Sequence, residues 1–351
     1  MRPYLEEEWG ASFAPHQKGI DQTLALDGRI QTLYDLVQAK EEDRFVFTSS
    51  GAEAIQQVLH SVYMERSRKE GKCRFVASCL EDAPLLQGLK RLEEQGCFAE
   101  IVPCKRDGTI DLERLKEAID PRTALVSISW AQGLTGVLQP IEEIAALCKE
   151  LGVLLHIDAT YAVGKVSLDF IGDYLTFAGD RMHGLKGSGA LFAKPHAPLA
   201  SSLLGGSLDV PSLTALSAAA QQSMLTLDIM GLETARLRTR FEEGVLKAVP
   251  GAEILFADSL RLPNVSLLSF PGVHQEALLY LLHRKKVYAA IGGHYHQQLF
   301  RLALACGCKE QTAAGAISFA LSRQTTEQEI DYAIDTIGGA VRFLRTLSGG
   351  V

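Results

Sequence analysis

Long apolar runs are missing from this chain of 351 residues. A bilayer-spanning helix needs about 20 consecutive apolar residues, so none is expected. Also missing is any basic tract interleaved with aromatics, and the formal net charge is -7. Neither a nucleic-acid surface nor an anionic membrane is therefore an expected partner. The opening stretch from Met1 to Glu8 is acidic and lacks an apolar core, so no secretory signal is expected there. Cysteine is sparse and odd in number: Cys73, Cys79, Cys97, Cys104, Cys148, Cys306 and Cys308. That scatter excludes a disulfide framework and fits a reducing, cytoplasmic compartment. Cys306-Gly307-Cys308 is the one close pair, and it has neither a second pair nor histidines at zinc spacing. Low-complexity tracts and internal repeats are absent as well.

What is present is ordinary globular composition, 47% hydrophobic and 22% charged. The length exceeds what one core usually supports, so two lobes are expected. Strand-like runs alternate with helical patterns through the first two thirds. Arg44–Thr48, Arg74–Ser78, Glu100–Pro103, Ala124–Ile128 and Val153–Ile157 read as strands. Helices are expected over 52–68, 84–95 and 142–151. Such alternation implies crossover units and a mostly parallel sheet. Tyr174–Phe177 and Gly189–Ala193 read as two further short strands. One long helix is expected over 212–249, ending at Pro250-Gly251. Beyond it, strands near 264–269 and 316–321 and helices near 275–283 and 326–347 predict a smaller α+β lobe. The expected division is 1–240 for the large lobe and 241–351 for the small one.

Several motifs occur in one order along the chain. Residues 9–19 read W-G-A-S-F-A-P-H-Q-K-G, residues 47–54 read F-T-S-S-G-A-E-A, and residues 156–160 read H-I-D-A-T with V-G-K at 163–165. Residues 177–191 read F-A-G-D-R-M-H-G-L-K-G-S-G-A-L, and residues 317–331 read I-S-F-A-L-S-R-Q-T-T-E-Q-E-I-D. In this register the chain resembles class V aminotransferases and, among them, the cysteine desulfurases, nearly end to end. The resemblance implies an α/β fold of the pyridoxal phosphate (PLP)-dependent transferase type I. A large lobe with a mostly parallel seven-stranded sheet then carries a small C-terminal α+β lobe. It also implies a PLP cofactor, dimers whose sites draw on both subunits, and iron–sulfur scaffold partners. The family's opening strand has no counterpart here, so either the start is mis-called or the lobe lacks that strand.

The departures from the family pattern fall on its chemistry. Arg181 stands where the family's lysine holds PLP as a Schiff base. A guanidinium stays protonated and cannot do what an amine does. Asp82 stands at the ring-stacking histidine, Gln132 near the asparagine that bonds the ring hydroxyl, and Tyr161 at its glutamine partner. Ala178 replaces a phosphate-binding serine, and Asp180 replaces the histidine beside the lysine. A carboxylate next to a phosphate is repulsive by on the order of 1 to 4 kcal/mol at 4 Å. Arg181 is expected either to pair with Asp180, the favoured reading, or to bind a phosphate itself.

Asp158 matches the aspartate that faces the pyridine nitrogen, or it merely caps its strand. The turn at Gly51 and Ala52 opens a helix whose N–H groups could meet a phosphate, or serves structure alone. Ser318 replaces the arginine that binds the substrate carboxylate. The family's nucleophilic cysteine aligns with Gly293 or Tyr295, and no cysteine occurs between Cys148 and Cys306. His294 and His296 form a pair without a third ligand, so no metal is expected. Lys186 and Lys165 are surface or rim lysines, or substitutes for the missing one. Two functions follow from these residues: a non-catalytic subunit, paired with itself or with a paralogue, or an enzyme using a non-standard lysine.

Overall fold

The computed structural model describes residues 2–12, 14–200, 208–293 and 298–348. Ten strands occur among them. β1 is Arg44–Thr48, β2 Arg74–Ser78, β3 Phe98–Val102, β4 Thr123–Ser129, β5 Leu154–Asp158, β6 Tyr174–Ala178 and β7 Gly189–Ala193. β8 is Glu253–Ile254, β9 Val265–Ser269 and β10 Ala316–Ala320. The first seven form one sheet in the order β1-β7-β6-β5-β4-β2-β3, parallel except for β7, which runs antiparallel to both its neighbours. β4 is buried along its whole length, as its unbroken Ala-Leu-Val-Ser-Ile run requires of a central strand covered on both faces. The last three strands form a separate antiparallel sheet, β10-β9-β8.

Apolar stripes on the helices close both faces of the large sheet. The helix Gly51–Val62 buries Ala54, Ile55, Val58, Leu59 and Val62, and meets Leu85, Leu89 and Leu92 of the helix Ala83–Glu94. On another face Leu26, Leu33, Leu36 and Val37 of the helix Gln17–Val37 meet Leu213, Leu216 and Ala220 of the helix Val210–Leu225. The small lobe has its own core of Phe241, Phe270, Ile317, Phe319, Ile337 and Val341. There the helix Ala235–Ala248 packs on the C-terminal helix Glu327–Ser348, and the Phe241 and Phe319 rings meet edge to face at 5.0 Å. Among the described residues no helix is long and apolar enough to cross a membrane.

One expectation from the sequence fails here. The helix over 212–249 is not continuous. It leaves helical geometry at Thr226, whose Oγ donates back to the Gln222 carbonyl at 2.9 Å, and passes through a widened turn at Met230–Thr234 before Ala235–Ala248 resumes. Back-bonding of a threonine hydroxyl to the preceding turn competes with the helix ladder in this way.

Candidate active site

In an open parallel sheet the crevice lies beyond the C-terminal strand ends, and Asp82, Asp158, Tyr161 and Arg181 come together there. Side chains two apart on a strand share a face, so His156 and Asp158 of β5 point the same way. His156 is fully buried, with Nδ1 2.7 Å from Ser127 Oγ on β4 and Nε2 2.9 Å from Thr176 Oγ1 on β6. Burial pushes its pKa down to about 3, so it stays neutral and ties three strands together beneath Asp158. Asp158 is buried and accepts the Thr160 N–H at 3.0 Å. Burial raises its carboxyl above the usual range, against the opposing pull of Thr160 and of the Arg181 charge.

Beside it, the register places Ser129 of β4 opposite Asp158. Ser129 gives both its N–H, at 3.0 Å, and its hydroxyl, at 2.6 Å, to buried Glu81, which also accepts Ser78 Oγ at 2.6 Å. Desolvation nonetheless pushes Glu81 up to about 7. The next residue, half-buried Asp82, is pushed up to about 7 as well, chiefly by burial and also by Asp158, while a hydrogen bond from Tyr161 and the Arg181 charge pull it back. Asp82 and Asp158 thus share the Arg181 cation, while Glu81 is held by serine donors alone. Glu81 and its serine donors were not among the expected site residues. The available signal was a serine at the C-terminal end of β2 and another at that of β4, flanking a Glu-Asp pair.

Arg181 sits in the short turn Gly179–Met182 after β6. Its guanidinium lies over the Tyr161 ring, 5.0 Å from the centroid, exposed at the mouth of the crevice. The expected pairing with Asp180 is not formed among the described residues. The side chain turns instead toward Tyr161, Asp82 and Asp158, where an aromatic face and two carboxylates attract a cation more than one half-buried neighbour does. Asp180 acts on Lys165, whose Nζ donates to the Arg181 carbonyl at 2.7 Å. Tyr161 packs directly on Gly133: a Cβ there would lie 2.3 Å from the ring. Gly133→Ala is therefore expected to cost about 2 kcal/mol by overpacking, and almost nothing when combined with Tyr161→Gln. Urea denaturation of the four proteins measures both costs, and an equal cost in the two backgrounds would contradict this packing.

The other expected residues are placed as follows. Gln132 is buried, its Oε1 taken by the N–H groups of Leu134 and Thr135, while its Nε2 has no partner among the described residues. Gly51 opens its helix against Ala178 and Thr160, and Ala52 beside it is exposed. That helix start is already capped: Ser50 Oγ accepts the Glu53 N–H, and the Glu53 carboxylate accepts the Ser49 N–H. Gly189 lets the Ser50 backbone lie against β7, since a Cβ there would be 2.4 Å from it. Ser318 is buried in β10 and bridged to Ala290. Lys186 is exposed and Gly293 is at the surface. His294, Tyr295 and His296 lie outside the described residues.

These residues do not fit PLP held as the family holds it. Asp158 and the free Gln132 Nε2 suit a pyridine nitrogen and a ring oxygen. At the position expected for the anchoring lysine, however, stands a guanidinium over a tyrosine ring, and the position expected for the stacking imidazole holds a carboxylate.

The aminotransferase class-V profile matches residues 4–231. A cysteine desulfurase of Cereibacter sphaeroides is 33% identical over 99% of this chain and 92% of its own length. The cysteine desulfurase NifS of Azotobacter vinelandii is 28% identical over 99% of this chain and 90% of its own length. Among solved structures, a NifS-like protein superposes with a TM-score of 0.88 at 25% identity, covering 97% of this chain and 94% of that one. The chain belongs to the class V aminotransferase family. Its similarity within that family is to the cysteine desulfurases.

Proposed function

We propose that this chain is a non-catalytic member of the cysteine desulfurase group, acting as a binding or partner subunit in iron–sulfur assembly. The observation that supports this reading best is the Arg181 guanidinium over the Tyr161 ring, a contact between two non-reactive groups at the positions expected for the family's lysine and glutamine. Its partner is a second copy or a catalytic paralogue, with an iron–sulfur scaffold protein as the further partner. All seven cysteines are free, which favours a cytoplasmic setting. Adding the purified chain to an active desulfurase from the same cell tests the role. A change in sulfide production together with co-elution is expected, whereas unchanged turnover and separate elution would refute the partnership.

A second reading, an enzyme using another lysine, draws on Lys165. Burial, aided by repulsion from Arg181, lowers its pKa to about 8, so a neutral amine is present near neutrality. Acetic anhydride labelling is expected to modify Lys165 half-maximally near pH 8, and Arg181→Glu is expected to move that midpoint upward. A midpoint above pH 10 in the native chain would remove the support for this second reading.

A further inference from the structure

Three of the seven cysteines, scattered in sequence, meet in one small cluster. Cys79 directly follows β2, two residues before Glu81. Cys104 lies just beyond β3, and Cys306 caps the small-lobe helix Leu299–Ala305. Cys104 Sγ and Cys306 Sγ are 3.4 Å apart across 202 residues of sequence, and Cys79 packs in the same cluster. Leu80, Leu302 and Phe256 surround them. A disulfide bond of about 2.0 Å requires the two sulfurs to close by about 1.4 Å. No metal-holding group of three or more such ligands occurs among the described residues, so the cluster is one of thiols alone.

We infer that Cys104 and Cys306 form a reversible, peroxide-driven disulfide latch between the large lobe and the helix Leu299–Ala305. Cys104 is half-buried and meets the oxidant first, whereas Cys306 is buried and resolves. The Cys104 sulfur attacks one oxygen of hydrogen peroxide. The O–O bond breaks, an S–O bond forms, and a sulfenic acid and one water result. The Cys306 sulfur then attacks the sulfenic sulfur. The S–S bond forms, the S–O bond breaks, and the second water leaves with the Cys306 proton. Two thiols are oxidised by two electrons and one peroxide is reduced to two waters. The hydrogen bond to Cys306, with burial, holds the Cys104 thiol up at about 12, so the reaction is slow and follows peroxide dose.

Leu299, the first residue of the latched helix, donates its N–H to the Ile291 carbonyl at 3.0 Å. Closing a cross-link over 202 residues of sequence restricts the unfolded chain, and a rise of about 5 °C in Tm on oxidation is expected.

The test treats the full-length chain with hydrogen peroxide, alkylates the remaining thiols and maps the digest without reduction. The expected result is a dominant Cys104–Cys306 peptide pair that dithiothreitol dissolves, retained in Cys79→Ser and lost in Cys306→Ala and Cys104→Ser. Dimedone should capture Cys104 in Cys306→Ala, and neither of the two latch variants should show the Tm rise. If one variant does not fold, the other and the native digest decide. Seven alkylated thiols after oxidation of folded protein, or a dominant Cys79–Cys104 pair, would overturn the latch.

Discussion

Arg181→Lys is expected to leave sulfide release from cysteine at the level of free PLP in buffer. Desulfurase turnover needs a thiolate nucleophile as well as an amine, and the groups act as a unit. No cysteine occurs between Cys148 and Cys306, so the substitution supplies one group of several. Asp82 also stays at the position expected for the imidazole, and Ser318 at the one expected to bind the substrate carboxylate. Enzyme rate enhancements commonly exceed about a millionfold, so the assay has ample range to detect even a weak restoration. Sulfide release well above the buffer level by Arg181→Lys, or by the native chain, would contradict the non-catalytic reading.

The second large effect concerns stability and pH. Glu81 has a folded pKa of about 7, raised by burial from 4.5 in the unfolded chain. Between those values the folded state binds more protons than the unfolded one, so stability falls as pH rises. The contribution is complete below about pH 4.5 and gone above about pH 7, and it is worth about 3 kcal/mol. Asp82, raised from 3.8 to about 7, adds a fall of the same sign. Urea denaturation at pH 5 and pH 8 is expected to show the protein weaker at the higher pH. Glu81→Gln keeps the shape of the side chain without the charge. It is expected to flatten the slope and raise stability at pH 8 by about 2 kcal/mol. A flat or rising native profile would mean that the carboxyl cluster is ionised without cost.

The fold was legible because apolar runs and turn residues agree with the sheet. Gly189–Ala193 begins and ends where its sequence pattern does, and β1, β2, β4, β5 and β6 fall within a residue or two of theirs. The helix Gln17–Val37 was not legible in this way, because its buried face includes Gly19 and Gln22 and so breaks the apolar period. The break at Thr226 depends on a hydroxyl choosing a backbone carbonyl, which no periodicity records. At the site, the replaced residues Asp82, Tyr161 and Arg181 stood out singly in the sequence. Their mutual arrangement did not, because a cation–ring contact between residues twenty apart depends on how β5 and β6 end side by side. The Glu81–Ser129 bonds were hidden for the same reason, joining β2 and β4 across 48 residues.

The most direct measurement is a titration of the purified, folded chain with PLP, followed by borohydride reduction and peptide mass mapping. No stoichiometric phosphopyridoxyl-lysine is expected at any position, with Lys165 and Lys186 recovered unmodified. A single lysine carrying one equivalent of the reduced adduct would contradict it and identify the group that has taken over from Arg181.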